Sequence, residues 1–143
     1  MSQQPVAVAL AILYSGDRFL MQLRDNIPGI LYPGCWGFFG GHLEPGETPE
    51  VAMQRELIEE IGYAPPSFAK FRCYADTKAI RHIYHAPLTV GLERLVLQEG
   101  WDLGFLTPQE IRQGSGYSAK AGQVRPLGTI HRQIVLDFLE NGA

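Results

Sequence analysis

The chain has 143 residues, 45% of them hydrophobic and 19% charged, with a net charge of −3 at pH 7. That length builds one domain, 1–143, whose core needs no disulfide or metal staples, and it excludes a second large domain. The composition argues against disorder, and the weakly acidic balance gives no electrostatic footprint for non-specific binding to nucleic acid or an anionic membrane.

The run VAVALAILY, Val6 to Tyr14, predicts a strand. It is not read as a signal-peptide core, because the MSQQP before it has no Lys or Arg. No run approaches the ~18 apolar residues that a spanning helix needs, so a cytoplasmic protein is expected. Ser15-Gly16-Asp17 supplies turn residues before a second strand, Phe19 to Arg24. Asp25 to Cys35 has two Pro-Gly pairs and reads as a long, ligand-contacting loop that closes at the apolar run Trp36 to Phe39. Further strands are expected over Phe68–Ala75, Ile80–His85, Leu88–Leu92 and Leu95–Leu97. Thr107 with Pro108 and Gly114 predicts a short helix, and Ile130, Ile134, Val135, Phe138 and Leu139 predict an amphipathic helix over Thr129–Glu140. Strands mixed with a few helices give an α/β or α+β class. Cys35 and Cys73 lack C-x-x-C spacing and read as reduced, buried thiols.

The chemistry concentrates in GGHLEPGETPEVAMQRELIEEIGY, residues 40–63. Thr48 as cap, Pro49 at the first position and Gly62 as stop predict a helix over Pro49–Ile61. At about 100° per residue, Glu56, Glu59 and Glu60 share one side, and Val51, Leu57, Ile58 and Ile61 share the buried one. Two glutamates a turn apart repel by only about 0.3 to 0.8 kcal/mol in water, so charge alone does not separate a site from a soluble surface. The glycine-rich turn before the helix does, because backbone can approach a ligand there. Oxygen donors without His or Cys suit a hard cation such as Mg2+ or Mn2+, which would bind the three glutamates and leave positions for water and phosphate oxygens. Arg55, on the flank, is placed to pair with Glu47 and brace the loop against the helix.

These residues resemble the signature box of the Nudix hydrolases, G-x5-E-x7-R-E-U-x-E-E-x-G-U with U bulky and apolar. Gly41, Glu47, Arg55, Glu56, Leu57, Glu59, Glu60 and Gly62 stand in register, and only Tyr63 departs, at a position that concerns packing. The seven fixed Gly, Glu and Arg positions match by chance on the order of 10⁻⁶ per chain of this size. The resemblance implies an α/β/α sandwich around a mixed β-sheet. It also implies a divalent cation on Glu56, Glu59, Glu60 and the Gly40 carbonyl, with Arg55 and Glu47 orienting the carboxylates. The implied reaction is attack of water on phosphorus in the diphosphate bridge of a nucleoside diphosphate linked to a moiety X. Glu59, Glu99 and Asp102 are candidates for the base, Glu59 first, with Glu99 also a possible second ligand.

Arg24, where a strand meets the long loop, is a candidate substrate contact. Trp36, Phe39, Tyr84 and Trp101 are able to stack on a base but fit core positions better. His42, His82, His85 and His131 carry no metal spacing and stay outside the chemistry. The expected partner is a small nucleotide-type molecule, with no nucleic acid or membrane; a homodimer is possible, as in many of these enzymes. Two other outcomes remain: an RNA 5′-end pyrophosphohydrolase, which needs a basic track that the net charge argues against, and a non-catalytic nucleotide sensor.

Overall fold

The computed structural model describes residues 4–141; residues 1–3 and 142–143 of the expected domain lie outside them. Strand β1, Val6–Ser15, occupies the middle of a seven-stranded sheet. Its C-terminal end pairs antiparallel with β2, Arg18–Leu23, through the Ser-Gly-Asp turn, while its N-terminal half pairs antiparallel with β4, Phe39–His42. On its other side β1 runs parallel to β6, Ala79–Pro87, which carries β5, Ala69–Ala75, at the edge. Beside β2 lie the short β3, Trp36–Gly37, and β7, Asp102–Leu106. A separate hairpin joins β8, Ser115–Ser118, to β9, Gln123–Pro126.

Both faces of this mixed sheet are covered, which is why β1 reads as a continuous apolar run rather than an alternating one. Its odd residues Ala9, Ala11 and Leu13 join Leu20, Phe39 and Tyr84 under helix α1, Pro49–Ile61. Its even residues Leu10 and Ile12 join Met21, Trp36 and Phe138 under helices α2, Pro108–Gln113, and α3, Thr129–Asn141. The expected sandwich is present. Helix α1 is capped by Thr48, whose hydroxyl accepts from the Val51 N–H at 3.3 Å, and it stops at Gly62 with φ 68°. In α2, Thr107 and Glu110 bond each other's backbone N–H, the reciprocal cap that holds so short a helix.

Several expectations change. Leu88–Leu92 and Leu95–Leu97 are not strands: Leu92–Arg94 forms a 3-10 turn, and the Val96 and Gln98 N–H groups donate to the carbonyls of Ile61 and Glu60. The C-terminus of α1 satisfies the backbone that a sheet ladder would have used. Gly40–His42 is strand, not turn. The buried face of α1 consists of Ala52, Met53, Leu57 and Ile61, together with Glu60, while Val51 and Ile58 are exposed. Cys73 is exposed and Cys35 half-buried. Trp36, Phe39 and Tyr84 are core, and Trp101 packs at the core's margin. Strand β7 and the β8–β9 hairpin were not expected from the sequence.

Candidate active site

One arginine ties the strand-to-helix loop to the helix. The Arg55 guanidinium donates to both Glu47 oxygens at 2.6 and 2.9 Å and to the His42 carbonyl at 3.1 Å, while its other nitrogen reaches Glu56 at 3.0 Å and Glu59 at 3.3 Å. The planar fork matches the carboxylate, so one side chain clamps β4, the loop and two positions of α1. The Arg55 hydrogen bonds, with the Glu44 N–H, hold the Glu47 carboxyl at about 2, far below its usual range.

Glu60 enters the sheet instead of solvent. One oxygen accepts from the Gly40 N–H at 2.8 Å and the other from the Gln22 amide at 3.1 Å, leaving the residue 5% exposed. Burial first, then repulsion from Glu56 and Glu99, outweighs these two hydrogen bonds and pushes its pKa up to about 8. Such a carboxylate lacks a counter-charge. Gly40 has φ 139°, and any Cβ there would collide with the Ala9 carbonyl, so only glycine brings this N–H to Glu60. A Cβ on Gly41 would stand 2.6 Å from the Glu56 carboxyl carbon, so that glycine lets Glu56 lie against β4.

A cleft of about 550 Å³ opens over these groups, lined by Gln22, Arg24, Gly40, Glu56, Glu60 and Glu99, with Asp25, Ile27 and Ile30 from the long loop. Glu99 arrives because Gln98 is pinned to the Glu60 carbonyl at 2.8 Å and Trp101 to the Leu23 carbonyl at 2.8 Å, which straps this segment between α1 and β2. Of the other base candidates, Glu59 has a side chain 58% exposed and turned to Arg55, and it does not line the cleft. Asp102 faces away, accepting from the Ser118 hydroxyl at 2.6 Å. Arg24 lines the cleft with a buried Nε–H that has no partner. Gln22, part of this constellation, was passed over in the sequence; its signal was a lone amide at an inward position of an otherwise apolar strand.

Four carboxylates, Asp25, Glu56, Glu60 and Glu99, face one arginine in this cleft. Among the described residues no three His, Cys, Asp or Glu side chains form a ready metal cage, since Arg55 draws Glu56 and Glu59 toward itself. The donor chemistry nonetheless fits a hard divalent cation: the acidic groups are oxygen donors, and a buried, undercompensated Glu60 is stabilised by added positive charge.

Across β4 lies a second cavity of about 340 Å³, which shares Arg24, Gly40 and Glu56 with the cleft. Val8, Leu10, Tyr32 and Phe38 wall it, and Arg81 and His131 supply polar groups. His131 was left out of the chemistry by the sequence reading, because it recurs with no partner spacing.

The family model of the NUDIX domain matches residues 3–127. A nucleoside triphosphatase NudI of Escherichia fergusonii is 31% identical over 125 residues, covering 78% of this chain and 87% of that one. Alignments with other NudI proteins, from Enterobacter sp. and Salmonella arizonae, span 38% and 41% of those relatives' length. Among solved structures, the MutT NUDIX hydrolase of Burkholderia pseudomallei superposes with TM-score 0.71 at 23% identity, over 94% of this chain and 98% of that one. The NUDIX domain of Shewanella oneidensis NrtR, complexed with ADP ribose, superposes with TM-score 0.73 at 18% identity, over 99% and 90%. Among the described residues no helix is long and apolar enough to cross a membrane. With the box in register over a carboxylate cleft and the family match spanning most of the sequence, the chain belongs to the Nudix hydrolases, enzymes that act on phosphoric anhydride bonds.

Proposed function

We propose that this chain is a metal-dependent pyrophosphohydrolase that cleaves the diphosphate bridge of a nucleoside diphosphate linked to a moiety X, by attack of water on phosphorus. The observation that carries this reading is the charge of the cleft: Glu56, Glu60, Glu99 and Asp25 against Arg24. Two unit charges at 4 Å repel by about 4 kcal/mol at an effective dielectric of 20, so a polyphosphate enters such a cleft only with cations. When bound, Mg2+ or Mn2+ neutralises phosphate charge and lowers the pKa of water. Glu56, Glu60 and the Gly40 carbonyl are its proposed holders, with Glu59 at the rim. Arg55 and Glu47 position these carboxylates through the clamp described above. Glu99 is the better-supported base, because it lines the cleft while Glu59 and Asp102 do not; it would accept the proton of the attacking water. Arg24, with an unpaired N–H at the boundary of cleft and cavity, is assigned to the phosphate chain. The second cavity is assigned to the nucleoside, since it adjoins the cleft and is walled by apolar and aromatic side chains. The name of the NudI relatives favours a nucleoside triphosphate, in which X is phosphate.

The test is incubation with Mg2+ and a panel of nucleoside triphosphates, oxidised nucleotides, nucleotide sugars and dinucleoside polyphosphates, with product masses followed. Release of a nucleoside monophosphate is expected from at least one class. A second reading, a sensor that holds a nucleotide without cleaving it, draws on the ADP ribose held by the NrtR domain. Tight binding of one panel member with no turnover of any would replace the enzyme by the sensor.

A further inference from the structure

We propose that His131 makes the nucleoside cavity selective for bases with a keto group over bases with an amino group at the same ring position: uracil over cytosine, hypoxanthine or guanine over adenine. This rests on the assignment of that cavity to the nucleoside.

The imidazole is fixed in one tautomer. Its Nδ1 accepts from the Phe38 backbone N–H at 3.2 Å, so the single proton of the neutral ring sits on Nε2. Among the described residues no group accepts from that Nε2–H, while the residue lines the cavity. Ring orientation is held by edge-on contact with Tyr32, centroids 5.7 Å apart, and by Phe38 at 5.2 Å. Burial, with the Arg24 and Arg81 charges beside it, depresses its pKa to about 4, which keeps the ring neutral at pH 7.

The two arginines that line this cavity have the same hydrogen-bonding sense as the imidazole N–H. Among the described residues Arg24 has a buried Nε–H without a partner, and Arg81 donates to Asp76 at 3.0 Å with one nitrogen and to no other side chain. Of the remaining polar lining, Arg55 engages the His42 backbone carbonyl and the Glu56 carboxylate, and the Tyr32 ring stands edge-on to the imidazole. A base that turns a carbonyl oxygen to His131 satisfies a donor. A base that turns an amino group there sets N–H against N–H and leaves both donors without an acceptor in the bound state.

The decisive comparison uses pairs that differ in this one group: UTP with CTP, and ITP with ATP. The expected kcat/KM favours the keto member of each pair by about tenfold or more. His131→Phe keeps a ring between Tyr32 and Phe38 but has no donor, and is expected to bring both ratios close to one. Should that variant not fold, His131→Gln, which retains an acceptor for the Phe38 N–H and an amide N–H, is expected to keep the keto preference. Calorimetric binding of UMP and CMP in chelator, without metal, reads the same preference independently of hydrolysis. If UMP is preferred and no nucleotide is hydrolysed, the catalytic proposal fails and this one stands. Wild-type ratios near one, preference for the amino members, a preference that survives in His131→Phe, or its loss in a folded His131→Gln would overturn it.

Discussion

The cleft and the cavity on either side of β4 share Arg24, Gly40 and Glu56 as a common border, yet their chemistries are opposite. Toward α1 the lining is acceptor-rich and acidic, and Glu60 is buried there without an adequate counter-charge. Toward α3 the lining is donor-rich, with Arg24, Arg81 and the His131 imidazole against apolar walls. A nucleotide has the complementary asymmetry once its phosphates carry cations: cations that carboxylates can ligate at one end, a flat base with acceptor oxygens at the other. On the proposed assignment, one substrate spans the strand, with its phosphates and cations toward α1 and its base toward α3.

The largest expected effect falls on the acidic compartment. Glu56→Gln and Glu60→Gln should each lower kcat/KM by roughly 10³-fold, with weaker Mg2+ binding by calorimetry; for Glu60→Gln, which lines the cleft and not the cavity, UMP binding in chelator should be unchanged. For Glu60→Gln the fold should survive, because the new amide oxygen still accepts from Gly40 while Gln22 turns its amide to match. Loss of nucleoside binding together with metal binding would mean that the two compartments are not independent.

Metal removal gives the next effect, with a definite sign. Glu60 titrates near 8 in the folded chain against 4.5 unfolded, so the folded state binds the extra proton. Stability without metal should be greatest below pH 4.5 as far as Glu60 contributes, and its contribution is lost as pH rises through 8. The span is about 3 kcal/mol, below the full shift, because ionisation is eased by relaxation of neighbours. Mg2+ should restore stability at pH 8 and do little at pH 5, since it competes with that proton. Denaturant midpoints across pH, with and without Mg2+, check both slopes, and Glu60→Gln should flatten them.

The two compartments differ just as much in how far the sequence discloses them. Glu47, Arg55, Glu56, Glu59 and Glu60 stand within 14 residues on one loop and one helix, so cap, stop and helical phase put them near each other without knowledge of the fold. Phase alone misjudged their burial: Glu60 lies inward and Val51 outward, because Gly40 and Gln22 supply the hydrogen bonds that make an inward carboxylate tolerable. The cavity joins Val8, Tyr32, Arg81 and His131, which only the β1–β6 pairing and the docking of α3 bring together. His131 has no local pattern at all. Glu99 is intermediate: the stretch before it, Leu95–Leu97, reads as a strand from its apolar residues, but the Val96 and Gln98 N–H groups bond to the end of α1, a partner that no local window contains.

Within the acidic compartment, the assignment of the base is sharpened by two carboxylates three positions apart. Glu99→Gln should lower kcat by about 10²-fold while leaving Mg2+ binding within a few-fold. Asp102→Asn should leave kcat within about twofold, and its loss of a charge-assisted bond to Ser118 should cost about 1 kcal/mol in a denaturant titration. If Asp102→Asn were the variant that lost activity, the strap that holds Glu99 would be the wrong frame for the site.

The smallest effect tests the clamp that keeps the compartments apart. Arg55→Lys preserves the charge but replaces a fork by a point charge, which cannot meet both Glu47 oxygens, the His42 carbonyl and Glu56 at once. The Glu47 carboxyl, now held at about 2, should return toward 4.5. Its contribution is present above the unfolded pKa and is lost as pH falls through the folded one, so the variant should be less stable than the wild type above pH 4.5, and the difference should close as the pH falls toward 2. Activity should fall about tenfold, because β4 and α1 keep their ladder and cap but the carboxylates are less well aimed. The keto preference should be unaffected, since His131 is held by Phe38 and Tyr32 rather than by this arginine. A changed UTP to CTP ratio in Arg55→Lys would show that Arg55, through Glu56 and His42, also shapes the cavity, and that β4 is a hinge between the compartments rather than a wall.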